Sequence, residues 1–190
     1  MINLKIFFDS EFSGLRQDTS LISIGFVSDN GKMFYAELTD YKKEQVDVWI
    51  KENVLDNLWL ENSTTLSLNS NLVLYRGTFS MLKPHLEKWL SQFDQAELWS
   101  DCLSYDFVLF NSIFGTAFDI PKNVYYIPFD ICTIFKMFDI DPDISREEFA
   151  KEWLNENKFN VNGSEKHNAL WDAHVIKGCY HTLMKGKDIK

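Results

Sequence analysis

Cysteine is scarce in this chain: Cys102, Cys132 and Cys179 are odd in number and scattered through apolar surroundings. A disulfide framework needs an even, patterned set and a structural zinc site needs clustered ligands, so neither is expected. The three read as core thiols of a protein kept in a reducing cytoplasm. Long apolar runs are also missing. None approaches the ~18 residues needed to cross a membrane, so no membrane partner is expected. The first residues, with one lysine and an acid already at Asp9, lack the pattern of a secretory signal. Positive charge is short as well: 19 Lys and Arg face 28 Asp and Glu, for a net charge of −9. That balance argues against broad, non-specific clamping of a polyanion. It leaves room for a nucleic acid held at one point through bound cations. Internal repeats and low-complexity tracts are absent.

What is there is a core. With 190 residues, 45% of them apolar and 16 of them Phe, the chain is long and hydrophobic enough for one ordinary globular domain over residues 1–190. Residues 5–12 and 21–27 read as strands. Asn30-Gly31 then turns the chain into a third strand at 33–38, since Asn-Gly between two such runs is a strong hairpin signal. Residues 44–55 carry Val46, Trp49, Ile50 and Val54 at helical spacing. A Ser/Thr/Asn-rich stretch at 61–71 reads as a flexible connection, and 72–75 as an edge strand or a packed loop. A helix capped near Thr78 and carrying Pro84 early is expected to about 93, then a strand at 96–100 and a helix at 104–114. A fifth strand is placed at 124–127 and a short helix at 131–138. Ser145-x-x-Glu148 is a capping box opening a helix through about 154. A polar loop at 155–165 and a last helix at 168–185 complete the chain. A three-strand meander followed by alternating helices and strands predicts an α/β fold with a mixed five-stranded or six-stranded sheet flanked by helices. The ribonuclease H-like topology is one candidate for that pattern.

The chemistry is carried by acids in costly places. Asp9 and Glu11 end the first strand one residue apart, so they point to the same face and repel each other. A divalent metal with hard oxygen ligands would resolve that repulsion; an isolated D-x-E is more often a solvated strand end. Asp106 shares a helix face with Phe110 and Ile113, and Asp172 shares one with Ala169, Ile176 and Cys179. An acid on a core face needs a metal, a lysine partner or a route to water. His167 lies five residues before Asp172, which on a helix would set them roughly 140° apart. The two converge only if His167 sits on the loop before the helix, where it could take a proton near neutral pH. His85, His174 and His181 have no such acidic partner in the pattern.

Asp9-x-Glu11, Tyr105-Asp106 and His167-x4-Asp172, in this order and spanning nearly the whole chain, resemble the DEDDh 3′–5′ exonucleases, which include oligoribonuclease, ribonuclease T and polymerase proofreading subunits. Phe8-Asp9-Ser10-Glu11-Phe12, Leu21-Ile22-Ser23-Ile24-Gly25 and His167-Asn168-Ala169-Leu170-Trp171-Asp172-Ala173 further resemble the small bacterial polyadenylate-specific exoribonucleases. One departure is Cys102, where many members have asparagine; Asp101 beside it offers an alternative alignment, but on a strand end. The resemblance implies a ribonuclease H-like fold and two Mg²⁺ or Mn²⁺ ions about 4 Å apart. Asp9 would bridge both ions, Glu11 and Asp172 would bind the first, and Asp106 would complete the set. It implies His167 as general base on a mobile loop, and release of nucleoside 5′-monophosphates from single-stranded, adenine-rich RNA. A homodimer is implied too. Phe12 offers a face for a terminal base or simply packs in the core, and Ser10 and Ser23 could reach the terminal ribose. Two alternatives stay open: a 3′–5′ DNA exonuclease or proofreading-type factor, and a non-catalytic nucleic-acid-binding module of the same fold.

Overall fold

The structure, a computed structural model, describes residues 4–60, 66–69, 71–161 and 166–185. Its centre is β1 (Leu4–Phe12), which pairs antiparallel with β2 (Leu21–Ser28). β2 in turn pairs antiparallel with β3 (Met33–Leu38), through a turn in which Gly31 takes the positive φ that favours glycine. β4 (Leu66–Asn69) and β5 (Leu72–Gly77) form a hairpin that joins through β5, parallel to β3. On the other side β6 (Ala96–Ser100) runs parallel to β1, and the two-residue β7 (Phe129–Asp130) closes the order β4-β5-β3-β2-β1-β6-β7. Among the described residues the sheet is therefore mixed and helix-flanked as expected, with six strands of four residues or more and β7 as a short seventh.

The middle of β1, Ile6-Phe7-Phe8, is apolar throughout because helices cover both of its faces. Ile6 and Phe8 point into a core shared with α2 (Phe79–Leu90) and α3 (Leu103–Phe114), where Phe26, Phe34, Leu82, Trp89 and Phe110 interlock. Phe7 points the other way, toward α4 (Ile131–Met137) and α7 (Ala169–Lys185). α7 lies across β1 and β2 at very short range. Gly25 makes this possible: a Cβ there would stand 2.4 Å from the backbone of Ala169 and Leu170. No helix among the described residues is long and apolar enough to cross a membrane.

Several expected elements differ in detail. Residues 124–127 form no strand; Val124 makes one isolated bridge to Ala96, and Tyr125, Tyr126 and Ile127 are exposed. That aromatic and branched run has strand propensity, but its pairing with β6 stops after the two backbone hydrogen bonds at Ala96, to Asn123 O and from Tyr125 N, both at 2.8 Å. The 44–55 helix shrinks to α1 (Val48–Asn53) between 3-10 turns at Lys43–Gln45 and Leu55–Asn57, because the Asp47 side chain caps it by accepting from Ile50 N at 2.8 Å. α2 is capped by Asp40, which accepts from Phe79 N at 2.9 Å, and Pro84 falls within the helix on an exposed side. The helix after the Ser145 cap is split into α5 (Arg146–Phe149) and α6 (Lys151–Glu156). β4 occupies part of the stretch read as a flexible connection; residues 61–65 and 70 of that stretch, and 162–165 of the later polar loop, lie outside the described residues.

Candidate active site

The carboxyl end of β1 is where the acids meet. Alternation along the strand sends Asp9 and Glu11 to one face, opposite Gly25 and Ser23 of β2. On the other flank β6 ends at Ser100, and Asp101 and Cys102 turn the chain into α3. Asp106 in the first turn of α3 is fully buried and accepts hydrogen bonds from Ser10 Oγ at 2.5 Å and from Ser100 Oγ. Asp172 comes from the first turn of α7.

His167 does precede the helix. It takes a positive φ of 65°, and its backbone N–H donates to Asp172 Oδ2 at 2.8 Å. Its ring sits edge-on to Trp49 at 5.0 Å. Asn168 fixes this start: its Oδ1 accepts from Leu170 N at 3.2 Å, and its Nδ2 donates to Tyr35 Oη and to the Asn57 carbonyl, both at 3.2 Å. Asn57 in turn donates to the Lys166 carbonyl at 2.9 Å. Tyr35 donates to the buried Glu37, which also accepts from Trp59 N and Leu60 N. One buried network thus anchors both sides of the histidine.

Two groups of donor atoms result. Glu11, His167 and Asp172 each place one within 4.8 Å of the others, and Asp9, Asp101 and Asp106 do the same. The cleft above them has a volume of about 550 Å³ and is lined by Asp9, Glu11, Asp101, Arg146, His167 and Asp172 among others. All five residues expected to carry chemistry are brought together, although Asp106 lies behind the cleft wall. Phe12 lines the cleft and stacks on Tyr105 at 5.1 Å. The two serines expected at the ribose differ. Ser10 lines the cleft and its hydroxyl donates to Asp106, whereas Ser23, beside Glu11 on β2, is fully buried and is not among the residues lining the cleft. Arg146 was not anticipated, and Asp101 was noted only as an alternative alignment of the middle acid. Asp101 signals itself only as an acid at the end of a strand beside β1. Arg146 hides inside the capping box, and its link to Asp101 across 45 residues leaves no periodic trace.

Burial dominates the electrostatics. It raises the Glu11 and Asp172 carboxyls to about 8, with neighbouring acids adding to the rise. Burial likewise lifts Asp106 to about 7 against the hydrogen bonds from Ser10 and Ser100, and holds Asp9 well above its ordinary value. His167 is pushed below its usual value by burial and by Lys166. Asp9, Glu11, Asp106 and Asp172 make no ion pair with Lys or Arg among the described residues. Converging, buried oxygen donors without a protein cation suit hard divalent ions.

The mixed sheet with helices on both faces is a ribonuclease H-like fold. The solved Neurospora crassa Pan2 catalytic unit, with its protease and nuclease domain, shares this fold at a TM-score of 0.51 and 16% identity, over 99% of this chain and 28% of that one. The family model for the 3′-5′ exoribonuclease Rv2179c-like domain matches residues 4–184, and the chain belongs to that family. Its relatives include 3′-5′ exoribonuclease Rv2179c and 3′-5′ exoribonuclease MT2234.1 from two strains of Mycobacterium tuberculosis. Each is 28% identical over 123 residues, covering 64% of this chain and 67% of the relative.

Proposed function

We propose that this exoribonuclease trims single-stranded RNA from its 3′ end with two divalent cations, Mg²⁺ or Mn²⁺, releasing nucleoside 5′-monophosphates. The observation that carries the reading is the pair of donor groups flanking Asp9 and Glu11 at the floor of one cleft. Asp9, Glu11 and Asp172 would hold the cations, with Asp106 completing the set from beneath. Bound there, the cations supply an activated water and neutralise charge on the reacting phosphate. His167 does the proton work. Held neutral near pH 7 by its surroundings and placed beside Glu11 and Asp172, it accepts a proton from water at a ring nitrogen.

A second hollow of about 400 Å³ opens beside Glu11, walled by Phe12, Leu15 and Trp49. Leu15 and Trp49 are exposed, which leaves an apolar face for the terminal base. Arg16 and Asp47 also line the hollow; a preference for adenine rests on family resemblance, as does the homodimer. The chain works as one exonuclease domain in the cytoplasm, where its three cysteines stay free thiols. Purified protein with Mg²⁺ and end-labelled RNA and DNA homopolymers tests the reading. Stepwise loss of 5′-monophosphates from the 3′ end of RNA is expected, with DNA slower and a 3′-phosphate blocking. Internal cuts or 3′-monophosphate products would overturn it. Light scattering of the purified protein checks the dimer.

A further inference from the structure

Asp101 stands where a ligand would stand. It follows the last residue of β6 and lines the cleft, whereas Asp106 is fully buried behind it, its carboxylate taken up by the hydroxyls of Ser10 and Ser100. A carboxylate oxygen of Asp101 lies within 4.8 Å of one on Asp9 and one on Asp106. On its far side Asp101 Oδ2 faces Arg146 Nε at 3.2 Å. That arginine is itself fixed. Its remaining nitrogens donate to the Ile144 carbonyl at 2.8 Å and to Cys132 Sγ at 3.0 Å, and its guanidinium lies over the Phe135 ring. A side chain tethered at three points is poorly placed to follow a moving phosphate and well placed to aim a carboxylate.

Arg146 also offsets the charge of Asp101, so that acid can face the cleft beside Asp9 without adding to the net negative charge there.

We propose that Asp101 is a further ligand in this site, joining Asp9 and Asp106 at the second cation, with Arg146 as the positioning residue that holds it. The inference rests on the two-cation reading above. Calorimetric titration of the full chain with Mn²⁺, in the absence of RNA, separates the two. Wild type should bind two ions. Asp101→Asn should weaken the second ion by about tenfold or more and leave the first within about twofold. Asp101→Glu, which keeps the charge and the arginine contact, should recover at least half of that loss. In turnover, Asp101→Asn should need correspondingly more Mg²⁺ for half-maximal rate. An Asp101→Asn isotherm identical to wild type overturns the inference and leaves the two-cation reading intact. So does an Asp101→Glu variant no better than Asp101→Asn, which would assign the loss to disturbed packing. Wild-type protein that binds no Mn²⁺ brings down both.

Discussion

The two halves of the cleft are built differently. Glu11, His167 and Asp172 are all half-buried, and His167 and Asp172 are joined by a backbone hydrogen bond at the start of α7. Asp9 and Asp106 are buried, and their half is braced by side chains: two serine hydroxyls on Asp106 and a tethered arginine on Asp101. The difference separates tasks. The first half contains the group proposed to move a proton, and it hangs on one turn that Asn168 anchors. The second is a fixed floor whose geometry is set before anything binds.

Removing a carboxylate should have the largest effect and should not respect the division. Asp9→Ala, Glu11→Ala or Asp172→Ala should each lower single-turnover RNA degradation on the order of 10³-fold or more. Metal-free melting should stay level or rise, since each change relieves repulsion among buried acids. Wild-type turnover in any of them would break the site. His167→Ala tests the first half alone. Activity at neutral pH should fall by about 10²-fold to 10⁴-fold and recover in part as pH rises, while Mn²⁺ binding changes little. A collapse of Mn²⁺ binding would make His167 a ligand and erase the distinction between the halves.

Acidity sharpens the comparison further. Glu11 and Asp172 are raised to about 8 and Asp106 to about 7, above their ordinary values near 4. A carboxyl raised on folding contributes stability that is complete below its unfolded value and is lost as pH rises through its folded one. Metal-free protein should therefore lose stability from about pH 5 to about pH 8 in denaturant titrations. Cations bind the deprotonated cluster, so their affinity rises over the same window and excess Mg²⁺ should flatten the loss. A metal-free curve that rises with pH would contradict the burial of these acids. Smaller still, Gly25→Ala should cost about 1–3 kcal/mol by forcing α7 off β2. Asn168→Ala should cost about 1 kcal/mol by uncapping α7, with activity falling further than stability if the anchoring of His167 matters.

The first half was largely legible in the sequence. Strand alternation puts Glu11 beside Asp9, and counting angles around a helix forces His167 onto the preceding turn, where the structure has it. The floor was legible in its acids, Asp9 and Asp106, but not in what braces them. Its decisive partners, Ser10 with Asp106 and Asp101 with Arg146, meet across 96 and 45 residues, and such long-range contacts obey no period. Ser10 read as a ribose contact because a hydroxyl beside two acids suggests substrate; it lines the cleft, with its hydroxyl donating to Asp106. The strand expected at 124–127 stops after one residue: Val124 pairs with Ala96 at the edge of β6, and propensity alone does not extend the pairing. The meander and the alternation allowed the ribonuclease H-like order as one candidate, and resemblance singled it out; β4, made from a polar stretch, was not expected.

The hydrogen bond from the His167 backbone to Asp172 has a thermodynamic consequence. It would make the proton acceptor and a cation ligand of the proposed mechanism neighbours on one short lever, so that ordering one tightens the other. Whatever free energy a bound cation gains by steadying that turn is available to an RNA end that docks against it, and linkage requires the favour to be returned in equal measure. RNA should therefore raise cation affinity by the same factor by which cations raise RNA affinity, and much of that factor should vanish when the turn is loosened at Asn168.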